Sequence, residues 1–342
     1  MKTIFYGLAG EGLGHAVRTM SVIERVKAKI CVFTWGEAFN FFEKEQYPFL
    51  YPIDGLPFGR NKQNKITALR SVGKFFQFLS KYKSSFNYVA KQAEKLSPSL
   101  FVSDFEPILP RVAKTLGIPL LSIDNQHKFS RCSIQSLPFK LRSYAWLMGR
   151  FTELFVPDPD EVLVSTFYHK ELTSNNAVLT NCFLRQNFEN QVIHENDFVL
   201  VYYKKSCGDE ILKNLSKRHL TVKVYNCPQD KRIYPQFQYY ELCNCAFIRD
   251  LAQCSHLFCS AGNQLLGEAL YFGKPIFAVM EPNQPEQEIN AFYIQKLNYG
   301  IGCNSVDDAK VDLFLNNSWN KKPTRENGVD VAADIIHKYI RG

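Results

Sequence analysis

A glycine-rich stretch near the start of the chain carries a histidine that could act as a general base. Glycines let a backbone turn sharply and approach a ligand closely, and the amino end of the helix that follows favours an anion. An imidazole there is disfavoured in its charged form and is expected to stay neutral, as a base must. The alternative is a histidine that only caps the turn. The stretch reads Gly10, Glu11, Gly12, Leu13, Gly14 and His15.

An aspartate at the end of a later apolar segment is the expected partner of this histidine. Asp104 lies in VSDFEP, where a strand is predicted to stop, and ligands of parallel sheets collect beyond the carboxyl ends of the strands. Its carboxylate could accept a hydrogen bond from His15, fix the tautomer of the imidazole and stabilise the protonated form. An aspartate in this position can also serve only as a turn residue or a helix cap.

A second loop, between another predicted strand and helix, offers groups for a phosphorylated ligand. Its backbone amides could hold a phosphate. Glu268 follows about one helical turn later, close enough to bind a ribose diol. The loop reads Ser260, Ala261, Gly262, Asn263 and Gln264.

Further polar residues follow the next predicted strand, which ends at Met280. Glu286 and Gln287 begin a helix there, and we expect them to face the same site because the carboxyl ends of parallel strands meet at one edge. The alternative is that Gln287, and still more Asn290, are ordinary polar residues at a helix start.

The elements that position these residues alternate between strands and helices. Such alternation predicts βαβ units, and therefore an α/β fold with parallel sheets and helices on both faces. The predicted strands are Thr3–Leu8, Lys29–Trp35, Leu100–Ser103 and Pro119–Ile123 in the first half, and Phe198–Tyr203, Leu220–Tyr225, Leu257–Ser260 and Pro275–Met280 in the second.

The strand pattern stops and restarts, which indicates two domains. The chain has 342 residues, and at ~150 residues per domain this length also predicts about two. We predict a first domain over 1–156, a turn-rich connecting segment over 157–197, a second domain over 198–326 and a closing helical stretch over 327–342.

Composition narrows the class of protein. Apolar residues make up 46% and charged residues 22% of the chain, which excludes disordered, collagen-like and coiled-coil chains. No apolar run reaches the ~18 residues of a membrane span, and glycines interrupt the apolar start, so a cytoplasmic protein is expected. Four of the ten cysteines lie close in sequence, but their spacing favours reduced core thiols over a zinc site. These four are Cys243, Cys245, Cys254 and Cys259.

The formal net charge of +8 is concentrated in two segments rich in aromatic residues. Segment 56–95 has nine bases and one acid, and segment 127–152 has five bases and no acid. One interpretation is a pair of amphipathic helices with solvated basic faces. The other is a surface for an anionic partner, either a membrane with anionic lipid or nucleic acid. The sequence leaves these interpretations open.

With these motifs in hand, the chain resembles the two-domain GT-B glycosyltransferases. GEGLGHAVR resembles the glycine-rich motif of the family that includes the N-acetylglucosaminyltransferase of peptidoglycan lipid synthesis. The stretch from VSDFEP to IDNQH resembles the matching region of uncharacterised bacterial and archaeal relatives. Residues 247–302 resemble the nucleotide-sugar signature of the UDP-glycosyltransferases. The resemblance implies two Rossmann-like domains that face each other across a cleft, with a closing helix that crosses back to the first.

The resemblance also implies that the second domain binds a UDP-sugar donor. By motif position, its residues divide by the part of the donor they contact. Phe247 and Ile248 would pack on the base or bond to it, Gly262, Asn263 and Gln264 would hold the diphosphate, Glu268 the ribose, and Glu286 and Gln287 the sugar hydroxyls.

The first domain would then bind the acceptor. His15 and Asp104 match the catalytic dyad of plant-type relatives, which deprotonates an acceptor hydroxyl for direct, inverting attack on the sugar. The diphosphate would leave against backbone amides and the helix dipole, so neither a metal ion nor another cofactor is required. The basic segments suggest a lipid-linked or otherwise anionic acceptor, met at the inner membrane face.

Two departures from the pattern leave the phosphate contacts and the identity of the donor sugar open, and other functions remain as alternatives. The usual glycine-rich loop after the first strand of the second domain is replaced by Tyr202–Ser206, and Pro282–Pro285 differs from the loop of the relatives. The alternatives are the same chemistry on modified nucleic acid, a UDP-sugar 2-epimerase, and a nucleotide-sugar-binding protein without catalysis.

Overall fold

The computed structural model describes residues 1–56, 68–185, 187–241 and 243–341. The chain divides into two compact units, one of Met1–Arg185 with Asn327–Gly342 and one of Gln186–Glu326. Of the predicted basic segment 56–95, residues 57–67 lie outside the described ranges.

The strands of the described part form two sheets whose ladders are parallel. The first sheet contains β1 (Thr3–Leu8), β2 (Lys29–Thr34), β3 (Leu50–Pro52), β4 (Leu100–Asp104), β5 (Leu120–Asp124), β6 (Glu161–Ser165) and β7 (Ala177–Thr180). The second contains β8 (Val199–Tyr202), β9 (Val222–Tyr225), β10 (Gln238–Tyr240), β11 (His256–Ser260), β12 (Ile276–Val279) and β13 (Gly300–Cys303). Their orders are β3-β2-β1-β4-β5-β6-β7 and β10-β9-β8-β11-β12-β13.

Helices connect most of these strands, as is usual for parallel pairing, whereas residues 166–176 between β6 and β7 contain no helix. The first unit contains α1 (Leu13–Arg25), α2 (Gly36–Lys44), α3 (Ala68–Leu96), α4 (Ile108–Leu116) and α5 (Phe139–Phe155). The second contains α6 (Gly208–Leu215), α7 (Asn244–Gln253), α8 (Asn263–Tyr271), α9 (Pro285–Lys296) and α10 (Asp308–Asn316), and α11 (Gly328–Arg341) belongs to the first unit again.

Strand β1, which lies between β2 and β4 in the first sheet, is buried on both faces. Ile4 and Leu8 pack in a core that α1 and α11 share. On the opposite face the ring of Phe5 lies 4.7 Å from that of Phe33 and 5.2 Å from that of Phe101, in a core shared with α3 and α4. Burial on both faces explains why this strand is an unbroken apolar run. The parallel pairing of β1 with β4 places the carboxyl ends of these two strands side by side.

The second unit has a core of its own around β11 and β12. The rings of Phe258 and Phe277 stack at 4.9 Å, and Phe314 of α10 lies edge-on to Phe258 at 5.2 Å. Close aromatic contacts of this kind add to the burial of apolar area. The core fixes the end of β11, from which the second predicted loop begins.

The predicted strands are all present, with ends shifted by no more than two residues, but the predicted connecting segment 157–197 is too long. That segment contains β6 and β7, of which β6 pairs with β5 and β7 pairs with β6 at the edge of the first sheet. The units divide between Arg185 and Gln186 instead. The sequence does not reveal these two strands because they are short and flanked by prolines and asparagines, which are typical of turns.

One further observation concerns the membrane. No helix in the described ranges is long and apolar enough to cross a membrane.

The four cysteines that are close in sequence, all of them described by the structure, do not form a metal site. Of the four, Cys254 and Cys259 are buried while Cys243 and Cys245 are exposed, and all are free thiols. Among the described residues no group of His, Cys, Asp and Glu side chains is arranged to hold a metal ion.

Candidate functional site

The glycine-rich loop is a tight connection between β1 and α1. Gly12 has a φ of +79°, a conformation that favours glycine, and a Cβ on Gly10 would lie 2.2 Å from the carbonyl oxygen of Trp35. The N–H of Gly12 donates to Oε2 of Glu37 at 3.0 Å. The start of α2 therefore braces this loop, a contact that the sequence did not reveal. Glu11 lies in the same loop.

The predicted contact between His15 and Asp104 is present in the structure. His15 is the third residue of α1, and its Nδ1 lies 2.9 Å from Oδ1 of Asp104. Leu8 at the end of β1 is in register with Asp104 at the end of β4, so the two strand ends bring the pair together. The side chain of His15 is 16% exposed, whereas that of Asp104 is fully buried. The imidazole is therefore the member that solvent or a substrate can reach.

A buried arginine is the third member of this cluster, and sequence reasoning missed it. Nε of Arg18 lies 3.0 Å from Oδ2 of Asp104, and Nη2 lies 2.6 Å from Oδ1 and 2.8 Å from Oδ2. The same Nη2 lies 3.1 Å from Nδ1 of His15. Burial alone would lower the pKa of Arg18, but the Asp104 carboxylate outweighs burial and raises that pKa above its ordinary value. Arg18 is therefore a permanent cation in the cluster. Its only sequence signal was the i, i+3 spacing from His15.

Tyr6 lies next to this cluster on β1. Its side chain is fully buried, and burial together with the Asp104 carboxylate raises the pKa of the phenol above its ordinary range. The phenol of Tyr6 therefore stays neutral near pH 7.

A second histidine–aspartate pair lies after β5 and is fully enclosed. Nδ1 of His127 lies 2.7 Å from Oδ2 of Asp124, the backbone N–H of His127 donates to Oδ1 at 2.8 Å, and Ser122 donates to Oδ2 at 2.8 Å. Both side chains of the pair are 0% exposed. This pair therefore holds the turn after β5 and does not meet a substrate.

We predict that Asp124→Asn destabilises the protein in a pH-dependent way. Burial raises the pKa of Asp124, but His127 and the hydrogen bonds lower it further, from 3.8 to about 2. The stabilisation is therefore complete above pH ~4 and is lost as pH falls through ~2, and it amounts to about 2 kcal/mol. Urea unfolding of both proteins at pH 7 and pH 3 should show the difference in unfolding free energy falling by roughly half. An unchanged difference would mean that Asp124 titrates as it does in the unfolded chain.

The second predicted loop begins where β11 ends, and Gly262 caps α8. A Cβ built on Gly262 would meet no atom within 4 Å, so the protein itself does not require glycine there, whereas a ligand that approaches the backbone closely would. Asn263 and Gln264 are the first residues of α8. Asn290 of α9 is 1% exposed and donates to the Ala261 carbonyl at 3.0 Å, so it braces this loop.

Gln264 and Gln287, two of the amide residues expected to bind the donor, hydrogen-bond to nearby glutamates. Glu268 is 2% exposed and accepts a hydrogen bond from Nε2 of Gln264 at 3.1 Å. Gln287 donates to Oε1 of Glu281 at 3.0 Å and accepts from the Glu281 backbone N–H at 2.9 Å. Glu286 lies beside Gln287 in the first turn of α9.

Glu281 links Gln287 at the start of α9 to the loop at the end of β8, residues 202–206, which stands where the relatives have a glycine-rich loop. Its carboxylate forms an ion pair with Lys204, which follows β8. Because β8, β11 and β12 are neighbours in the second sheet, their carboxyl ends place Lys204, the start of α8 and the start of α9 along one edge. Glu281 was not among the predicted residues, and only the structure reveals its contacts.

Phe247 and Ile248 do not fit the side-chain contact expected with a base. Each is 1% exposed, and the ring of Phe247 packs against Tyr202 at 5.5 Å and Tyr225 at 5.2 Å. They lie on the inner face of α7, so their side chains belong to the core of the second unit and offer no surface for stacking.

Comparison with known proteins places the chain in a family. A family model described as Glycosyl transferase family 1 matches residues 2–318. No curated protein matches the sequence.

Solved structures resemble the whole chain. MurG of Acinetobacter baumannii is 14% identical with a TM-score of 0.66, and the alignment covers 99% of this chain and 100% of that one. A UDP-glucosyltransferase of Polygonum tinctorium capable of glucosylating indoxyl is 11% identical with a TM-score of 0.67, covering 100% and 99%. The glycosyltransferase VinC, solved in complex with dTDP, is 9% identical with a TM-score of 0.64, covering 99% and 100%. At these identities the likeness shows the fold, which is GT-B with two Rossmann-like domains.

Proposed function

The chain belongs to glycosyl transferase family 1 and is a glycosyltransferase, and from that premise we propose that it transfers a sugar from a UDP-sugar to an acceptor hydroxyl with inversion. The observation that carries this proposal is the 2.9 Å contact between Nδ1 of His15 and the buried Asp104. A histidine that is partly exposed and held by a buried carboxylate is suited to act as a general base.

The reaction that we propose is a single displacement. With its Nδ1–H donated to Asp104, His15 takes the acceptor hydroxyl proton on Nε2. The acceptor oxygen attacks the anomeric carbon, and the bond from that carbon to the diphosphate breaks. The electron pair leaves with the diphosphate, and attack from the opposite side inverts the configuration.

Groups in the second unit suit the binding of the leaving diphosphate. The amino end of α8 presents backbone amides and a positive dipole end, and Lys204 adds a flexible cation. Both would stabilise the charge that develops as UDP departs, with Lys204 exchanging its pairing with Glu281 for the diphosphate, so the proposal needs no metal ion. We assign Glu268 to the ribose and Glu286 and Gln287 to the sugar hydroxyls, whereas Phe247 and Ile248 keep no side-chain role.

The surface of α5 favours an acceptor that is embedded in an anionic membrane. Phe139, Trp146, Leu147 and Leu154 are 82%, 58%, 59% and 66% exposed. Lys140 and Arg150 are exposed on the same side, and the one acid of α5, Glu153, is paired with Arg131. An apolar helix face edged by bases suits an anionic lipid interface. The reaction would then take place at the cytoplasmic membrane surface.

We predict that Trp146→Ser with Leu147→Ser weakens binding to phosphatidylglycerol vesicles at low salt by about tenfold or more, because two large apolar side chains no longer insert. Vesicle co-sedimentation measures this, with Leu313→Ser, an exposed apolar position of the second unit, as the matched control. Equal binding of all proteins, or salt-sensitive binding to DNA in place of vesicles, would contradict the membrane assignment.

Product analysis tests the proposed reaction itself. Purified protein is incubated with UDP-sugars alone and with membrane lipid extracts, and released UDP and sugar products are identified. We expect UDP release that requires the extract and a lipid product of inverted anomeric configuration. Epimerised donor without acceptor would point to an epimerase, and a product of retained configuration would overturn the mechanism.

A further inference from the structure

We propose that Arg18 is a positioning residue whose fixed cation opposes protonation of His15 and so keeps the imidazole of the His15–Asp104 pair neutral in the resting enzyme. The inference rests on the proposed function, because it concerns the base of that reaction. It starts from the contacts within the cluster. Arg18 donates to both carboxylate oxygens of Asp104, and its Nη2 also lies beside Nδ1 of His15, which is itself in contact with Oδ1 of Asp104.

The contacts of Nδ1 in His15 are mutually exclusive. Oδ1 of Asp104 at 2.9 Å only accepts, whereas Nη2 of Arg18 at 3.1 Å only donates. If Nδ1 carries the proton, it donates to Asp104 and Nε2 is free to accept a proton. If Nδ1 is bare, it accepts from Arg18, and the proton on Nε2 blocks its use as a base.

The charge of Arg18 affects a further equilibrium, in which the imidazole of His15 gains a second proton and becomes an imidazolium. Arg18 is 3% exposed and holds both oxygens of Asp104, so the carboxylate is already neutralised by a fixed cation. Without Arg18, a buried carboxylate 2.9 Å from an imidazole would favour the imidazolium. A histidine that is already protonated cannot take a proton from the acceptor.

The other charged groups around the cluster do not replace this effect. Tyr6 on β1 stays neutral, and the carboxylate of Asp124 at the end of β5 is held by hydrogen bonds to His127 and Ser122. Glu37 on α2 is exposed and bound to the backbone of Gly12. Arg18 is therefore the cation that opposes protonation of His15.

The test is the pH dependence of Arg18→Met and Arg18→Lys beside the wild type. For Arg18→Met, the acidic limb of the kcat/KM profile should move to higher pH by about one unit, because the opposing cation is gone. Arg18→Lys keeps the charge, so its acidic limb should lie close to the pH of the wild-type limb, although lysine cannot make the bidentate contacts of arginine. A purely structural arginine would lower the amplitude in both variants and leave the limb in place, which would overturn the proposal.

Proton NMR titration of His15 separates this inference from the proposed function. The His15 signal is assigned by its loss in His15→Ala, and its titration midpoint is read in folded protein without any turnover. The midpoint should rise by about one unit in Arg18→Met, even if the chain transferred no sugar. Should Arg18→Met fail to fold, Arg18→Gln, which also removes the charge, carries the test: a midpoint raised by about one unit supports the role of charge, and a midpoint equal to that of the wild type contradicts it.

Discussion

Replacing His15 with alanine is expected to lower kcat/KM by about 10²–10⁴ and to leave UDP affinity unchanged. The loss has the size of a general base, because the acceptor hydroxyl would then have to attack while still protonated. UDP affinity should survive because the residues assigned to the nucleotide and diphosphate lie in the second unit, and His15 lies in the first. Steady-state kinetics and calorimetric titration with UDP measure the two effects.

The matched control for this variant is His169→Ala, because His169 is an exposed histidine of the same unit. It should retain wild-type activity. If His15→Ala transferred sugar at the wild-type rate, His15 would not be the base. If it lost transfer, UDP binding and folding stability together, the structural interpretation of His15 would be correct.

Asp104→Asn should damage both turnover and stability. The asparagine can no longer hold the Nδ1–H tautomer of His15 firmly, and loss of this orientation costs up to about 10⁴ in comparable triads. It also removes the partner of Arg18, whose cation would stay buried and uncompensated, at a cost of about 3–5 kcal/mol. Urea unfolding and kcat measured on one preparation report both effects.

An exposed ion pair provides the comparison for this second prediction. Asp158 pairs with Lys114 at 2.5 Å, but both side chains are largely exposed, so Asp158→Asn should change stability little. If Asp104→Asn were no more destabilised than Asp158→Asn, the cluster of Arg18, Asp104 and His15 would not be the tightly bonded unit described above.

The central strands could be predicted from the sequence because their physical signals are strong. Both faces of β1 and β4 are buried, so these strands are continuous apolar runs that end in polar turns. Strands β6 and β7 have five and four residues and lie at the sheet edge. Their short runs among turn residues resemble a linker, which is why the first domain extends further along the chain than the sequence predicts.

The candidate site was predictable only where topology determines it. Because parallel strands end at one edge, His15 and Asp104 could be paired from the strand pattern of the sequence. Arg18 could not, because an arginine on a helix is usually solvated. The link between Lys204 and Glu281 joins two distant loops, and no local pattern encodes it. The burial of the Phe247 side chain was not predicted either, because motif position does not tell which face of a helix is buried.

Calorimetric titration of the purified protein with UDP, using GDP, ADP and dTDP as comparisons, tests the central claim most directly. We predict micromolar binding that is selective for UDP and is preserved in His15→Ala. Selective binding of dTDP would still agree with a glycosyltransferase, but the proposed donor would change from a UDP-sugar to a dTDP-sugar. If no nucleotide bound, the edge formed by Lys204, α8 and α9 would not be a donor site, and the proposed UDP-sugar transfer would be wrong.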